Sequence, residues 1–141
     1  MAVLLDTGLY IALIDPSDAH YQRAPEILKE IKTGIHGQPY TTSFVMAEAA
    51  TLVAIRTKKN IEAMHVIKSF FVGDARIASL LRPSETTENK AWDLFLKINS
   101  NTKKQPVSFV DCLNIIIAEQ HHIGVMVTFD NHFESWIHCF Q

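Results

Sequence analysis

The segment Ala2-Val3-Leu4-Leu5-Asp6-Thr7 constrains this chain more than any other stretch. Its apolar residues end in a carboxylate, and a helical pattern begins immediately behind it. A short apolar run punctuated in this way reads as a buried strand. An aspartate at the carboxyl end of such a strand occupies the crevice where open α/β sheets hold their ligands. The same residue also suits the N-cap of the next helix, so Asp6 taken alone keeps both readings. A second segment of the same design, Gly124-Val125-Met126-Val127-Thr128-Phe129-Asp130, shifts the balance toward a site.

Between these two segments, helical patterns alternate with short β-leaning runs. A first helix covers Gly8 to Ile14 and stops at Asp15-Pro16, since proline pushes its predecessor out of helical space. Ser17 or Asp18 is expected to cap a second helix carrying Tyr21, Ala24, Ile27, Leu28 and Ile31, ended by Gly34 and Gly37, with His20 a polar first-turn residue. Pro39 to Thr42 forms a second strand. Ser43 is expected to cap a third helix running to about Lys58, with Val45, Leu52 and Ile55 as its apolar stripe. Asn60 caps a fourth helix through Val72, on which His65 is a packing or surface residue; Arg76 to Leu80 reads as a third strand. Pro83-Ser84 opens a fifth helix with Trp92, Phe95, Leu96 and Ile98 as its apolar positions. Asn99 to Pro106 is a polar surface loop. Ser108 starts a sixth helix that continues to His121-His122 and closes at Gly124; Val125 to Val127 is the fourth strand, and Trp136 to Phe140 a fifth, at the edge. Strands spaced by helices predict an α/β domain, a mainly parallel sheet of four to five strands with helices on both faces. Right-handed crossovers then bring every strand's carboxyl end to one rim, and with them Asp6 and Asp130.

At 141 residues the chain is expected to form one domain, residues 1–141. No apolar run approaches the roughly 20 residues of a membrane span, and the N-terminus shows no basic, signal-like start. Cys112 and Cys139 lack metal-ligand spacing and fit a reducing cytoplasm. The net charge of −2 does not announce a nucleic-acid binder. A local basic rim of Arg56, Lys58, Lys59, Lys103 and Lys104 is still compatible with one, as is plain solvated surface.

Four acids stand in unusual places. Asp6 and Asp130 end strands, Glu48 falls on the apolar stripe of the third helix, and Asp111 lies in the first turn of the sixth. Each has an ordinary explanation: Ser108-x-x-Asp111 has capping-box spacing, and Glu48 can snorkel from the stripe's edge. Together they form a set of carboxylates whose mutual repulsion a hard divalent cation, Mg²⁺ or Mn²⁺, would relieve.

Asp6-Thr7 behind the first strand, Glu48 in the third helix, Ser108-x-x-Asp111 opening a helix and Thr128-x-Asp130-x-x-Phe133 resemble the PIN-domain nucleases, most closely the VapC-type toxins. The resemblance spans essentially the whole chain and rests on order and spacing, not on one motif. It implies a three-layer α/β/α sandwich with strand order 3-2-1-4-5. It also implies that Asp6, Glu48, Asp111 and Asp130 hold Mg²⁺ or Mn²⁺ for RNA hydrolysis, with Thr7, Ser108 and Thr128 as supporting hydroxyls. On the same ground the partners are an RNA substrate, a VapB-type antitoxin and a second copy in a homodimer, in the cytoplasm. The chain departs from the family at Gly8, where Ser or Asn is usual, and His132 beside Asp130 reads as a turn residue. Two other classes remain in view. A haloacid-dehalogenase-like phosphotransfer enzyme would want a second Asp where Gly8 stands. A non-catalytic binding module would keep the fold alone.

Overall fold

The structure, a computed structural model, describes residues 1–100 and 105–141. Its elements are β1 (Ala2–Leu5), α1 (Thr7–Ile14), α2 (Ala24–Lys32), β2 (Gln38–Thr42), α3 (Ser43–Arg56), α4 (Ile61–Val72), β3 (Ser79–Leu81), α5 (Glu85–Ser100), α6 (Phe109–Gln120), β4 (Val125–Val127) and β5 (His138–Phe140). A 3₁₀ turn, Asn131–Phe133, links the last two strands. The five strands form one sheet in the order β3-β2-β1-β4-β5, and every pairing is parallel.

β1 is the central strand, and its composition explains why. A parallel strand covered on both faces needs apolar residues at successive positions, not an alternating pattern. Val3 and Leu5 point into a core layer shared with Leu9 and Ile11 of α1, Ile27 of α2, Val45 and Val53 of α3, and Phe71 of α4. Leu4 points the opposite way, into a layer with Leu113 and Ile117 of α6, Met126 of β4 and Phe133. All three β1 side chains are fully buried; full burial stabilises each by roughly 1.5–3 kcal/mol. Register aligns Leu5 with Val127, and the Asp6 amide extends the ladder to the Val127 carbonyl at 3.0 Å. Asp6 and Thr128 therefore emerge side by side at the carboxyl edge.

Several boundaries differ from the sequence expectation. α2 starts at Ala24, not near Ser17, because Asp15 and Asp18 hold the preceding turn: Asp15 Oδ1 accepts from the Ser17 amide and hydroxyl, and Asp18 Oδ1 from the His20 amide. The cap of α3 is Thr42, whose hydroxyl accepts from the Val45 amide at 3.1 Å, not Ser43. The buried stripe of α3 is Val45, Ala49 and Val53, four residues apart, whereas Ile55 is exposed. β3 is shorter and later than expected. α6 ends at Gln120 with His121 as its C-cap, and His122, not Gly124, takes the left-handed backbone at φ 54°. β5 comprises only the second half of the Trp136 to Phe140 run and does sit at the edge. Lys103 and Lys104 lie outside the described residues. Among those described, no helix is long and apolar enough to cross a membrane.

The cap assignment is testable. Thr42→Ala should cost about 1 kcal/mol in urea denaturation, whereas Ser43→Ala, a first-turn position whose side chain caps nothing, should stay within a few tenths of wild type.

Candidate active site

Asp6 sits at the junction of three elements. It follows β1, occupies the N-cap of α1, and is only 4% exposed. Its Oδ1 accepts from the Thr7 amide at 2.8 Å and from the Asn114 side-chain amide of α6 at 3.2 Å. Its Oδ2 accepts from the Thr128 hydroxyl at 2.8 Å. The N-cap reading of this residue is thus realised by a side chain that also accepts from α6 and from the residue after β4. Thr128 in turn accepts from the Asp130 amide at 3.1 Å, so a single hydroxyl fixes the spacing of two acids.

Asp111 reaches the same point from the first turn of α6, where the Ser108 hydroxyl accepts from its amide at 3.1 Å. That turn is anchored by aromatic packing: the Phe109 ring lies 4.7 Å from Trp92 and 6.0 Å from Phe44, centroid to centroid. Asn99 of α5 clamps the approach to it, bonding both the amide and the carbonyl of Val107. Asp6, Asp111 and Asp130 each offer one carboxylate oxygen, and these oxygens lie within 4.8 Å of one another. Glu48 stands apart from this trio. It is half-buried on the flank of α3 and lines the same groove of about 320 Å³ with the three aspartates.

Burial, then the neighbouring Asp111 charge, pushes the Asp6 carboxyl up to about 7; the Thr128 and Thr7 hydrogen bonds oppose that rise, and Asp130 adds to it. Acids assembled this closely suit a cation with hard oxygen preferences, and three convergent carboxylates are a fitting donor set for Mg²⁺ or Mn²⁺.

Three residues around the site escaped the sequence reading. Asn114 was hidden among the apolar positions of α6; an amide three residues after Asp111, on a helix otherwise buried all round, was the available signal. Phe129 and His20 stack face to face at 3.9 Å with planes 2° apart, and both line the groove. Nothing in their sequence separation announces that pairing. Gly8 also gains a reason: a Cβ there would lie 3.2 Å from Phe129 Cδ2, so a side chain would press on that ring. Of the basic rim, Arg56 lines the groove, while Lys59 lines a separate hollow beside Ala54 and Ile55.

A parallel sheet in this order, covered by helices and with three aspartates converging where its central strands end, defines an α/β/α domain with an acidic centre at the carboxyl edge. The chain belongs to the PIN domain family, whose sequence profile matches residues 3–136. It is 21% identical over 133 residues to a VapC ribonuclease of Archaeoglobus fulgidus, covering 94% of this chain and 80% of the relative. Among solved structures it resembles VapC20 of Mycobacterium tuberculosis, described as a Sarcin-Ricin loop cleaving toxin, with TM-score 0.74, 19% identity and coverage of 94% and 93% of the two chains. It also resembles VapBC2 of Rickettsia felis, solved bound to a promoter DNA fragment, with TM-score 0.66, 18% identity and coverage of 99% and 98%.

The Asp6 environment fixes the sign of a pH dependence. The unfolded chain releases this proton near 3.8 and the metal-free folded protein near 7, so the folded state holds more protons between those values. Stability in EDTA should therefore fall as pH rises through that window, a loss complete above about pH 7. Urea midpoints should fall from about pH 5 to about pH 8 in wild type and much less in Asp6→Asn. Asn114→Leu, which removes one donor from the Asp6 carboxylate, should raise its titration midpoint further in a carboxyl-carbon NMR titration.

Proposed function

We propose that this chain is a divalent-cation-dependent endoribonuclease that acts in the cytoplasm as the toxin of a toxin–antitoxin pair. The observation that carries this reading is the convergence of Asp6, Asp111 and Asp130 at the carboxyl edge of the sheet. Membership of the PIN family and the ribonuclease named among its relatives support it. Membership also sets aside the phosphotransferase alternative.

In this reading Asp6, Asp111 and Asp130 hold Mg²⁺ or Mn²⁺, and Glu48 completes the carboxylate set from α3. A cation of this class polarises a phosphodiester and makes water a nucleophile near neutral pH. Thr128 and Asn114 orient Asp6 by donating to its two oxygens, and Thr7 adds its backbone amide. Ser108 fixes Asp111 through the helix cap. The buried wall behind Asp6, formed by α6 and β4, keeps bulk water from that side of the carboxylate.

A partner of the VapB type fits a second surface. An apolar trough of about 520 Å³, lined by Phe44, Ala47, Leu52 and Val110, runs beside α3 and shares Glu48 and Leu52 with the acidic groove. An antitoxin segment with apolar anchors and a terminal cation would match that sequence of surfaces. The homodimer expected from the family would use exposed Trp92 and Leu96 of α5; Phe71 is buried against Tyr10 and contributes nothing to such a face. A monomeric mass by light scattering would count against the dimer.

The enzyme assay uses single-stranded RNA with Mn²⁺ or EDTA. Cleavage should appear only with the cation, and Glu48→Gln should lose most of it while keeping the wild-type melting temperature. Retained activity with a higher melting temperature would remove Glu48 from the site. Saturating Mn²⁺ should raise thermal stability, by about 2.7 kcal/mol at a hundredfold excess over Kd, and Asp6→Asn with Asp111→Asn should abolish most of that gain. A melting temperature indifferent to millimolar Mn²⁺, with no RNA cleavage, would leave a PIN-like binding module.

A further inference from the structure

A phosphodiester approaching this groove meets Asp6, Glu48, Asp111 and Asp130 on a chain whose net charge is −2. Something other than bulk attraction must hold it. Arg56, at the last turn of α3, is the only lysine or arginine lining the groove among the described residues. Its Nη1 lies 2.9 Å from Asp18 Oδ2 and 3.7 Å from Asp15 Oδ2, and both acids are largely shielded from solvent. Asp15 is itself gripped by the Ser17 amide and hydroxyl. Guanidinium carries five N–H donors in a rigid fork. Both carboxylate contacts use one nitrogen, so the fork is anchored at Nη1 and, among the described residues, Nε and Nη2 stay available to a phosphate.

On the same wall, the turn that supplies Asp18 continues directly to His20, whose ring lies flat on Phe129 at 3.9 Å. Phe129 stands between Thr128 and Asp130, so the stacked pair is placed by the same residues that place the aspartates. The absence of a side chain at Gly8 leaves that ring its position. Both rings are half-buried and border the groove. Two parallel, stacked rings beside the aspartates leave an outer π-face for an unstacked nucleobase, since base–aromatic stacking needs only such a face.

We propose that Arg56 and the His20–Phe129 pair form a nucleotide subsite beside the three aspartates. Arg56 takes a phosphate flanking the scissile one, and the imidazole–phenyl stack takes the adjoining base. The substrate class that follows is RNA unpaired at that nucleotide, because a base held in a duplex cannot reach the rings. This inference rests on the nuclease reading above and assigns the substrate-facing half of that site.

The test measures fluorescence anisotropy of a labelled, mixed-sequence single-stranded RNA of about a dozen nucleotides, with Mg²⁺, in an Asp111→Asn background that does not cleave. Arg56→Gln should weaken binding about tenfold and reduce the slope of log affinity against log salt by about 0.7, the loss of one phosphate contact on a single strand. Arg56→Lys, which keeps a positive charge and the ion pair, should retain the slope. His20→Ala should weaken binding at least about fivefold and leave the slope unchanged, since stacking is not a counterion effect. Melting temperatures establish that each variant is folded. An unchanged slope in folded Arg56→Gln overturns the phosphate contact, and unchanged affinity in folded His20→Ala overturns the stacking contact. Either result leaves the nuclease reading intact. A wild-type protein that neither binds nor cleaves single-stranded RNA overturns both.

Discussion

The structure depends on keeping the Asp6 carboxylate in a place where an isolated charge would not stay. Burial disfavours its ionised form, and two neighbouring aspartates add repulsion. Against this stand three donors, each from a different element: the Thr7 amide at the start of α1, the Thr128 hydroxyl after β4, and the Asn114 amide from the middle of α6. These bonds satisfy the carboxylate and also tie the central strand to elements over a hundred residues away in sequence. Hydrogen bonds to charged groups contribute roughly 1.5–3 kcal/mol, which only partly offsets the burial of such a group, so the site remains strained toward protonation or toward a cation. The same arrangement serves a hydrolytic centre well.

The two walls of the groove divide the work. On the aspartate wall, α6 is buried almost all round, and its first turn is pinned by Phe109 against Trp92. This is a rigid mounting for Asp111. On the opposite wall, α3 buries only Val45, Ala49 and Val53. Its flank carries Glu48, the apolar trough and, at its end, Arg56. A rigid acid platform thus faces a surface of mixed chemistry, with polar, apolar and cationic positions in series along one helix. Variation on α3 away from Glu48 would change what the groove accepts without disturbing the three aspartates.

Much of this was legible in the sequence for identifiable physical reasons. β1 and β4 announce themselves because strands buried on both faces are continuously apolar and their carboxyl ends carry charge. Asn60 and Ser108 were readable as caps because side-chain capping leaves a local signature. The start of α2 was not, because the hydrogen bonds that decide it compete between a turn and a helix in the same few residues. The stripe on α3 was misplaced because alanine at 49 carries too little hydrophobicity to mark a buried position. Within the site, the aspartates stood out by position, but Glu48 could not be set apart from them, since sequence order carries no distance. Asn114 and the His20–Phe129 stack depend on long-range packing, for which a single sequence has no local sign.

The bond between Asp6 and Thr128 joins residues 122 positions apart. Parallel pairings of such separation form late, because loop-closure entropy is lost before the contact repays it. β2 covers one side of β1, but the strand on its other side and the hydroxyl that holds its aspartate both come from a segment more than a hundred residues further along the chain. The groove therefore exists only once residues 125 to 130 have joined β1 and Asp6. Closure of the groove is thus tied to completion of the sheet on its β4 side, and a chain that has formed β1 and β2 alone has no assembled acid cluster.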